Sequence, residues 1–241
     1  MIRSASAVLV ALFAAAPVVA QLPLLPSEPV DSGIDAPNAI RLADLDRDGD
    51  LDAVIAAGPD GTGGSISFRP FDSSTGDWGA AVVLDAAFAL ALDLAVADLD
   101  RDGDLDVAAV SSSGDELAWW ENSAGDGSAW IGRTILSGAA LDGAAAVEIG
   151  DLDGDGDPDI VVAARSADAI RWFENDGEPS DGGWTARVIN AAPFDDPVGL
   201  DLFDIDRDGD LDVIATGENG NRVSWWASDG TPGDGTGGDG T

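Results

Sequence analysis

The sequence predicts an all-β fold: a β-propeller-like array of four blades of about 53 residues, each with four antiparallel strands. Three observations predict it. An acidic stretch of the form D-x-D-x-D-G-D-x-D begins at Asp44, Asp98, Asp151 and Asp204, at spacings of 54, 53 and 53 residues. A fixed period of that length is the mark of stacked or radially arranged supersecondary units. Short apolar runs lead into and out of every copy, and an aromatic segment recurs downstream of each.

The elements of one unit follow in order. Apolar residues alternate just before each acidic stretch, at Ile40 and Leu42, Leu94 and Val96, Val147 and Ile149, and Leu200 and Leu202. That is strand periodicity running straight into a loop. After the loop come the β-rich runs AVIAAG, VAAVSS, IVVAA and VIATG, then turn residues, then SISFRPF, LAWWEN, IRWFEN and VSWWAS. A Gly/Asp/Ser turn, a tryptophan (Trp78, Trp130 or Trp184) and a last strand such as GAAVVL, IGRTIL or TARVIN complete the unit. Four-stranded units of this size suit propeller blades, which pack face to face and leave few exposed edges. The fourth unit ends after VSWWAS, and residues 23–33 stand where its last strand belongs, so that segment is the candidate closing strand. Pro23, Pro26 and Pro29 fit only an edge position there. The competing arrangements are an open four-unit array and part of a larger ring.

The ends differ in character. Residues 1–20 (MIRSASAVLVALFAAAPVVA) carry one charge at Arg3, an apolar run from Ala5 to Ala16 that is too short to span a bilayer, and small residues at Val18 and Ala20. They are expected to be a cleaved signal peptide rather than a membrane anchor, placing the chain outside the cytoplasm with no membrane span after cleavage. Residues 21–228 form the repeat domain. Residues 229–241 (DGTPGDGTGGDGT) have nothing apolar to bury and are expected to be a flexible tail.

Composition excludes several function classes. There are 46 acidic residues against 11 basic ones, a formal charge of −35, so nucleic acid and anionic membranes are repelled and cations are favoured. With no histidine and no cysteine, thiol catalysis, disulfides and His-based zinc or base chemistry are absent. Carboxylate chemistry remains.

In D-x-D-x-D-G-D-x-D, carboxylates at positions 1, 3 and 5 converge on one side of a tight loop. Glycine at position 6 (Gly49, Gly103, Gly156, Gly209) allows the turn, position 7 offers a carbonyl and position 9 closes the cage. An all-oxygen set suits a hard cation, and its number and flexibility favour calcium over magnesium. Without a cation, two carboxylates about 6 Å apart repel by roughly 0.7 kcal/mol in water and about 3 kcal/mol at an effective dielectric of 20. Solvated acidic turns are the plainer alternative, but four copies with Asp at every odd position argue against it. An EF-hand needs an acid at position 12, where this chain has Ile55, Ala109, Val162 and Ala215 between strands, so it is rejected.

The DLDxDGDxD loop, the β run after it and the WWEN or WFEN segment resemble the FG-GAP/VCBS repeat family, the integrin-α-type propeller blades of many secreted bacterial proteins, over about residues 30–228. The resemblance implies up to four Ca²⁺. It assigns metal roles to Asp44, Asp46, Asp48, Asp50 and Asp52; to Asp98, Asp100, Asp102, Asp104 and Asp106; to Asp151, Asp153, Asp155, Asp157 and Asp159; and to Asp204, Asp206, Asp208, Asp210 and Asp212. The seventh position would act through its carbonyl. The chain departs from the family in having four motifs where seven blades are common, and in largely lacking the Phe-Gly and Gly-Ala-Pro signatures.

The pairs Trp119/Trp120, Trp172/Phe173 and Trp225/Trp226 are strand neighbours, so one member faces each side of its sheet. They read first as packing between blades; the sharper alternative is a sugar-stacking platform. Glu121 and Glu174 after them read as structural rather than as a catalytic pair. No residue set apart from the repeats points to catalysis. The functional expectation is a secreted, calcium-stabilised binding or adhesion module with a protein or glycan partner; the alternative is a lectin or carbohydrate-active enzyme on the same scaffold. The four loops hold 20 Asp and three Arg, so calcium does not account for all the acidity.

Overall fold

A computed structural model describes residues 29–59, 63–190 and 192–229. The proposed signal peptide, most of the candidate closing strand and the tail from residue 230 lie outside them.

The described chain is all-β, in successive antiparallel sheets. Sheet one joins β1 (Pro37–Ala43), β2 (Asp52–Ala57), β3 (Ser65–Arg69) and β6 (Val82–Asp85), with the short pair β4 (Phe71–Asp72) and β5 (Asp77–Trp78) beside it. Sheet two runs β7 (Ala91–Ala97), β8 (Asp106–Ser111), β9 (Glu116–Glu121) and β10 (Ile131–Ser137). Sheet three runs β11 (Ala144–Gly150), β12 (Asp159–Ala164), β13 (Ala169–Glu174) and β14 (Thr185–Val188). Sheet four has three strands, β15 (Pro197–Phe203), β16 (Asp212–Gly217) and β17 (Arg222–Trp226). No helix among the described residues is long and apolar enough to cross a membrane.

Each sheet is a meander, and the register repeats with it. The first strand of every sheet carries a register shift near its start, at Pro37/Ala39, Ala91/Asp93, Ala144/Ala146 and Pro197/Gly199. The second strands of sheets one to three are buried along their whole length, because both faces of those sheets are covered. This explains why they read as continuous apolar runs rather than as an alternation.

Three apolar cores fill the junctions between successive sheets. The first joins Leu45, Ile66 and Phe68 to Leu94, Val107 and Trp120. The second joins Leu99, Leu117 and Trp119 to Val147, Ile160 and Phe173. The third joins Leu152, Val161 and Ile170 to Val213 and Ala215. Neighbouring aromatics on β9 therefore face opposite junctions, as strand geometry requires, and Trp119 and Trp120 are both buried. A bulky residue ahead of each first strand plugs each junction: Phe88, Leu141 and Phe194. Phe88 stacks edge-on against Trp120 at 5.1 Å and Phe194 against Trp226 at 5.2 Å.

Among the described residues no sheet closes on another. The described part of the candidate closing strand, residues 29–33, is not a strand. It meets sheet one instead, where Arg69 Nε donates to Asp31 Oδ2 at 2.8 Å.

Candidate metal centre

Every acidic loop connects the first strand of a sheet to its second, so the strand register sets the loop geometry. Position 4 is left-handed in all four, with φ of 62° at Arg47, 58° at Arg101, 72° at Gly154 and 67° at Arg207. Position 6 has φ between 93° and 110°, a region that side chains rarely adopt and that accounts for glycine in every copy.

Carboxylates organise the turn. The N–H of position 6 donates to position 1 in three loops: Gly49 to Asp44 at 3.1 Å, Gly103 to Asp98 at 3.0 Å and Gly156 to Asp151 at 3.1 Å. The N–H of position 5 donates to position 3, and that of position 7 to position 5, in all four loops. Position 9 is a buried staple. Asp52, Asp106, Asp159 and Asp212 accept through Oδ2 from the position 2 N–H of Leu45, Leu99, Leu152 and Ile205 at 2.8–3.0 Å. Through Oδ1 they accept from Phe71, Asn122, Asn175 and Ser228, just after the third strand, at 2.9–3.0 Å.

The structure brings together only part of each expected ligand set. Ligand oxygens of Asp44, Asp46 and Asp48 lie within 4.8 Å of one another, as do those of Asp98, Asp100 and Asp106, of Asp151, Asp153 and Asp159, and of Asp204, Asp206 and Asp212. Positions 1 and 3 are common to all four clusters, and position 9 completes three. Asp102, Asp155 and Asp208 at position 5 and Asp52 at position 9 stand outside these groups and hold backbone N–H donors instead. Position 7 side chains turn away: Asp50 accepts from the Ser73 N–H at 2.7 Å, Asp104 pairs with Arg47 and Asp157 with Arg101.

One oxygen in each cluster is buried with no hydrogen-bond partner: Asp44 Oδ1, Asp98 Oδ1, Asp153 Oδ2 and Asp204 Oδ1. An acceptor left so is costly. In loop three the orphan moves from position 1 to position 3, because the Gly154 N–H donates to Asp151 Oδ1 at 2.8 Å. Burial pushes Asp106 and Asp159 up to about 7. Burial is also the main reason that Asp46, Asp100 and Asp153 are raised above the usual carboxylate range. Converging, desolvated carboxylates with an unsatisfied oxygen fit a hard cation, which would supply the missing partner and oppose those shifts.

Two sets of residues carry roles that motif reading did not assign. The position 4 arginines bridge loops: Arg47 reaches Gly103 O and Asp104 of the next loop, and Arg101 reaches Asp157 of the one after. Asn122 Nδ2 donates across a junction to Leu45 O at 2.9 Å, Asn175 Nδ2 to Leu99 O at 3.0 Å, and Ser228 Oγ to Leu152 O at 2.9 Å. The recurring EN of LAWWEN and IRWFEN was the available signal. The glutamates there are structural: Glu121 accepts from Arg133 and Glu174 from Arg187, whose guanidinium groups lie over Trp119 and Trp172 at 5.3 and 5.4 Å.

No curated protein matches the chain. Among solved structures, the crystal structure of the V. cholerae biofilm matrix protein Bap1 aligns with 80% of this chain and 30% of its own, at 22% identity and a TM-score of 0.43; the chain thus spans under a third of that protein. The model of the FG-GAP-like repeat matches twice in overlapping windows, at 98–162 and 151–215. Each window runs from one acidic loop into the second strand of the next sheet, so residues 98–215 are similar to FG-GAP-like repeats.

Proposed function

We propose that the chain is a secreted binding or adhesion module in which up to four calcium ions lock the acidic loops of a propeller-like array. The observation that carries the reading is the buried, unpartnered carboxylate oxygen in each of the four loops. The residues that would hold the ions are Asp44, Asp46 and Asp48; Asp98, Asp100 and Asp106; Asp151, Asp153 and Asp159; and Asp204, Asp206 and Asp212. The remaining loop aspartates shape the turn, and position 7 is available through its carbonyl. Residues 1–20 act as the export signal, 21–228 as the module and 229–241 as a tail.

Calcium supplies charge neutralisation and fixed geometry rather than a reaction step. Extracellular calcium modules bind with Kd near 0.1–1 mM. At ten times Kd each site adds about 1.4 kcal/mol to stability, so four together are comparable to the net stability of a domain. The test is thermal unfolding with calcium titrated from chelator upwards and magnesium as control. A rise in Tm specific to calcium supports the reading. A response no larger than that to sodium at equal ionic strength means that the loops are acidic turns. Mass spectrometry of the chain recovered outside the cells, starting at Gln21, would support export; an intact Met1 would refute cleavage.

A further inference from the structure

We propose that Glu121 and Glu174 serve as a fourth carboxylate for the cation clusters of loops two and three, which makes these the tight calcium sites of the array. This rests on calcium occupying the acidic loops, and it gives the two glutamates a role toward the ion beside their pairing with Arg133 and Arg187. Loops one and four have no acid at the matching position, so the four sites are unequal.

Strand register sets the glutamates beside the clusters. In sheet two Val107 stands opposite Trp120 and Ala108 opposite Trp119, and in sheet three Ile160 stands opposite Phe173 and Val161 opposite Trp172. One residue further along each ladder, position 9 meets a glutamate: Asp106 stands opposite Glu121 and Asp159 opposite Glu174. Residues directly opposite in an antiparallel pair share one face, with Cβ atoms about 4.5–5.5 Å apart, and like charges placed so destabilise a sheet. The same register puts Pro70 opposite Asp52 and Ala227 opposite Asp212, so the acid pair occurs in loops two and three and not in loops one and four.

The electrostatics follow the register. Asp100 is raised above the ordinary carboxylate range first by burial and then by neighbouring charge, that of Glu121 included. Asp153 is raised in the same way, by burial and by charges that include Glu174. Asp46 and Asp206, at the same position of loops one and four, are raised by burial and by aspartates of their own loops. Each cluster that a glutamate adjoins also holds a buried oxygen with no hydrogen-bond partner, Asp98 Oδ1 in loop two and Asp153 Oδ2 in loop three. Asp153 is only 2% exposed, so the partner its oxygen lacks is a group that enters the cluster.

The glutamates are held ready for such a partner. Both are largely buried, and each meets its arginine through Oε2, which leaves Oε1 to accept from another donor. Both stand outside the groups of three whose oxygens lie within 4.8 Å of one another. They therefore act on the ion through water, as position 9 of an EF-hand often does. Arg133 and Arg187 fix the glutamate rotamers and offset their charge while no ion is bound. Calcium affinity follows the number of charges around the ion, and outer groups fixed in this way are worth roughly 10–100-fold in metal affinity.

The test is calorimetric titration of the chain with calcium at fixed ionic strength, with circular dichroism confirming the fold of each variant. The parent is expected to show tight sites at loops two and three and weaker ones at loops one and four. Glu121→Gln keeps an oxygen for Arg133 and weakens one tight site by roughly tenfold or more; with Glu174→Gln added, no tight site remains. Arg133→Gln breaks the same pair from the other side but leaves the charge on Glu121, so it does not weaken calcium binding. Ala227→Glu removes no native contact of this kind and places an acid opposite Asp212, tightening loop four. Four equivalent sites overturn the inference, as does unchanged affinity in the Glu121→Gln/Glu174→Gln variant or in Ala227→Glu. An Arg133→Gln variant that loses as much affinity as Glu121→Gln also overturns it, because the pair then acts only by holding the strands. All these failures leave calcium bound, whereas a chain that takes up no calcium overturns the calcium reading along with this one.

Discussion

Replacing Asp100 with Asn separates a cation site from an acidic turn, because the two readings give opposite slopes with calcium. In loop two, the ligand oxygen of Asp100 lies within 4.8 Å of those of Asp98 and Asp106. Each pair at that distance repels by about 0.9 kcal/mol in water, which is a lower bound here because Asp106 is buried and Asp98 and Asp100 are half-buried. Asparagine retains an oxygen to accept the Asp102 N–H, which Asp100 receives at 3.2 Å. In chelator at pH 8, the variant is therefore more stable than the parent by at least about 2 kcal/mol, or roughly 4–8 °C in Tm for a domain of this size.

Calcium then works against the variant. The parent gains RT ln(1 + [Ca]/Kd) at loop two and the variant does not, so the two stabilities become equal at no less than about 30 times Kd and invert above it. The assay is Tm against calcium concentration at constant ionic strength, for both proteins. Parallel curves would refute cation binding at this loop. A variant less stable than the parent in chelator would refute the repulsion on which the reasoning rests.

The other predictions concern the scaffold. Asn122→Ala leaves Leu45 O and the Gly127 N–H, 3.1 Å from Asn122 Oδ1, without partners in a buried junction; it is expected to cost about 3 kcal/mol in urea unfolding in chelator, and to weaken the coupling of calcium binding between loops one and two. Phe194→Ala removes a fully buried ring between Trp226 and Arg222, and a loss of about 3–5 kcal/mol, with the third junction failing first in hydrogen exchange, is expected. Arg101→Ala removes a solvated pair with Asp157; the expected result is no resolvable change in Tm but tighter calcium binding at loop three by calorimetry, an effect that high salt abolishes.

Much of the fold was legible because its period is written in side chains with few other uses. Gly49, Gly103, Gly156 and Gly209 mark one backbone conformation, and the paired aromatics of β9 and β13 mark sheets covered on both faces. The closing strand was not legible: a stretch that fits an empty edge by position says nothing about where Asp31 finds a cation, and Arg69 lies on sheet one. The arginines of the loops were also opaque, since a cation among aspartates reads as local charge balance. Their partners lie one unit further on, Arg47 on Asp104 and Arg101 on Asp157, and only the stacking of sheets brings these together.

The same stacking explains why five aspartates recur in nine residues when three form each cluster. Position 9 must be short enough to accept N–H groups from position 2 and from the end of the third strand at once, as Asp106 does from Leu99 and Asn122. Position 7 must reach sideways to the neighbouring loop, and position 5 holds the turn that presents positions 1 and 3. Asn122 also donates to Leu45 O in the preceding loop, so the staple of one loop is bonded to the backbone of another. A cation that fixes Asp98, Asp100 and Asp106 therefore stiffens the junction with sheet one as well as its own turn. Binding in successive loops should then be cooperative along the array, with loop one, whose cluster lacks its position 9 oxygen, the weakest member.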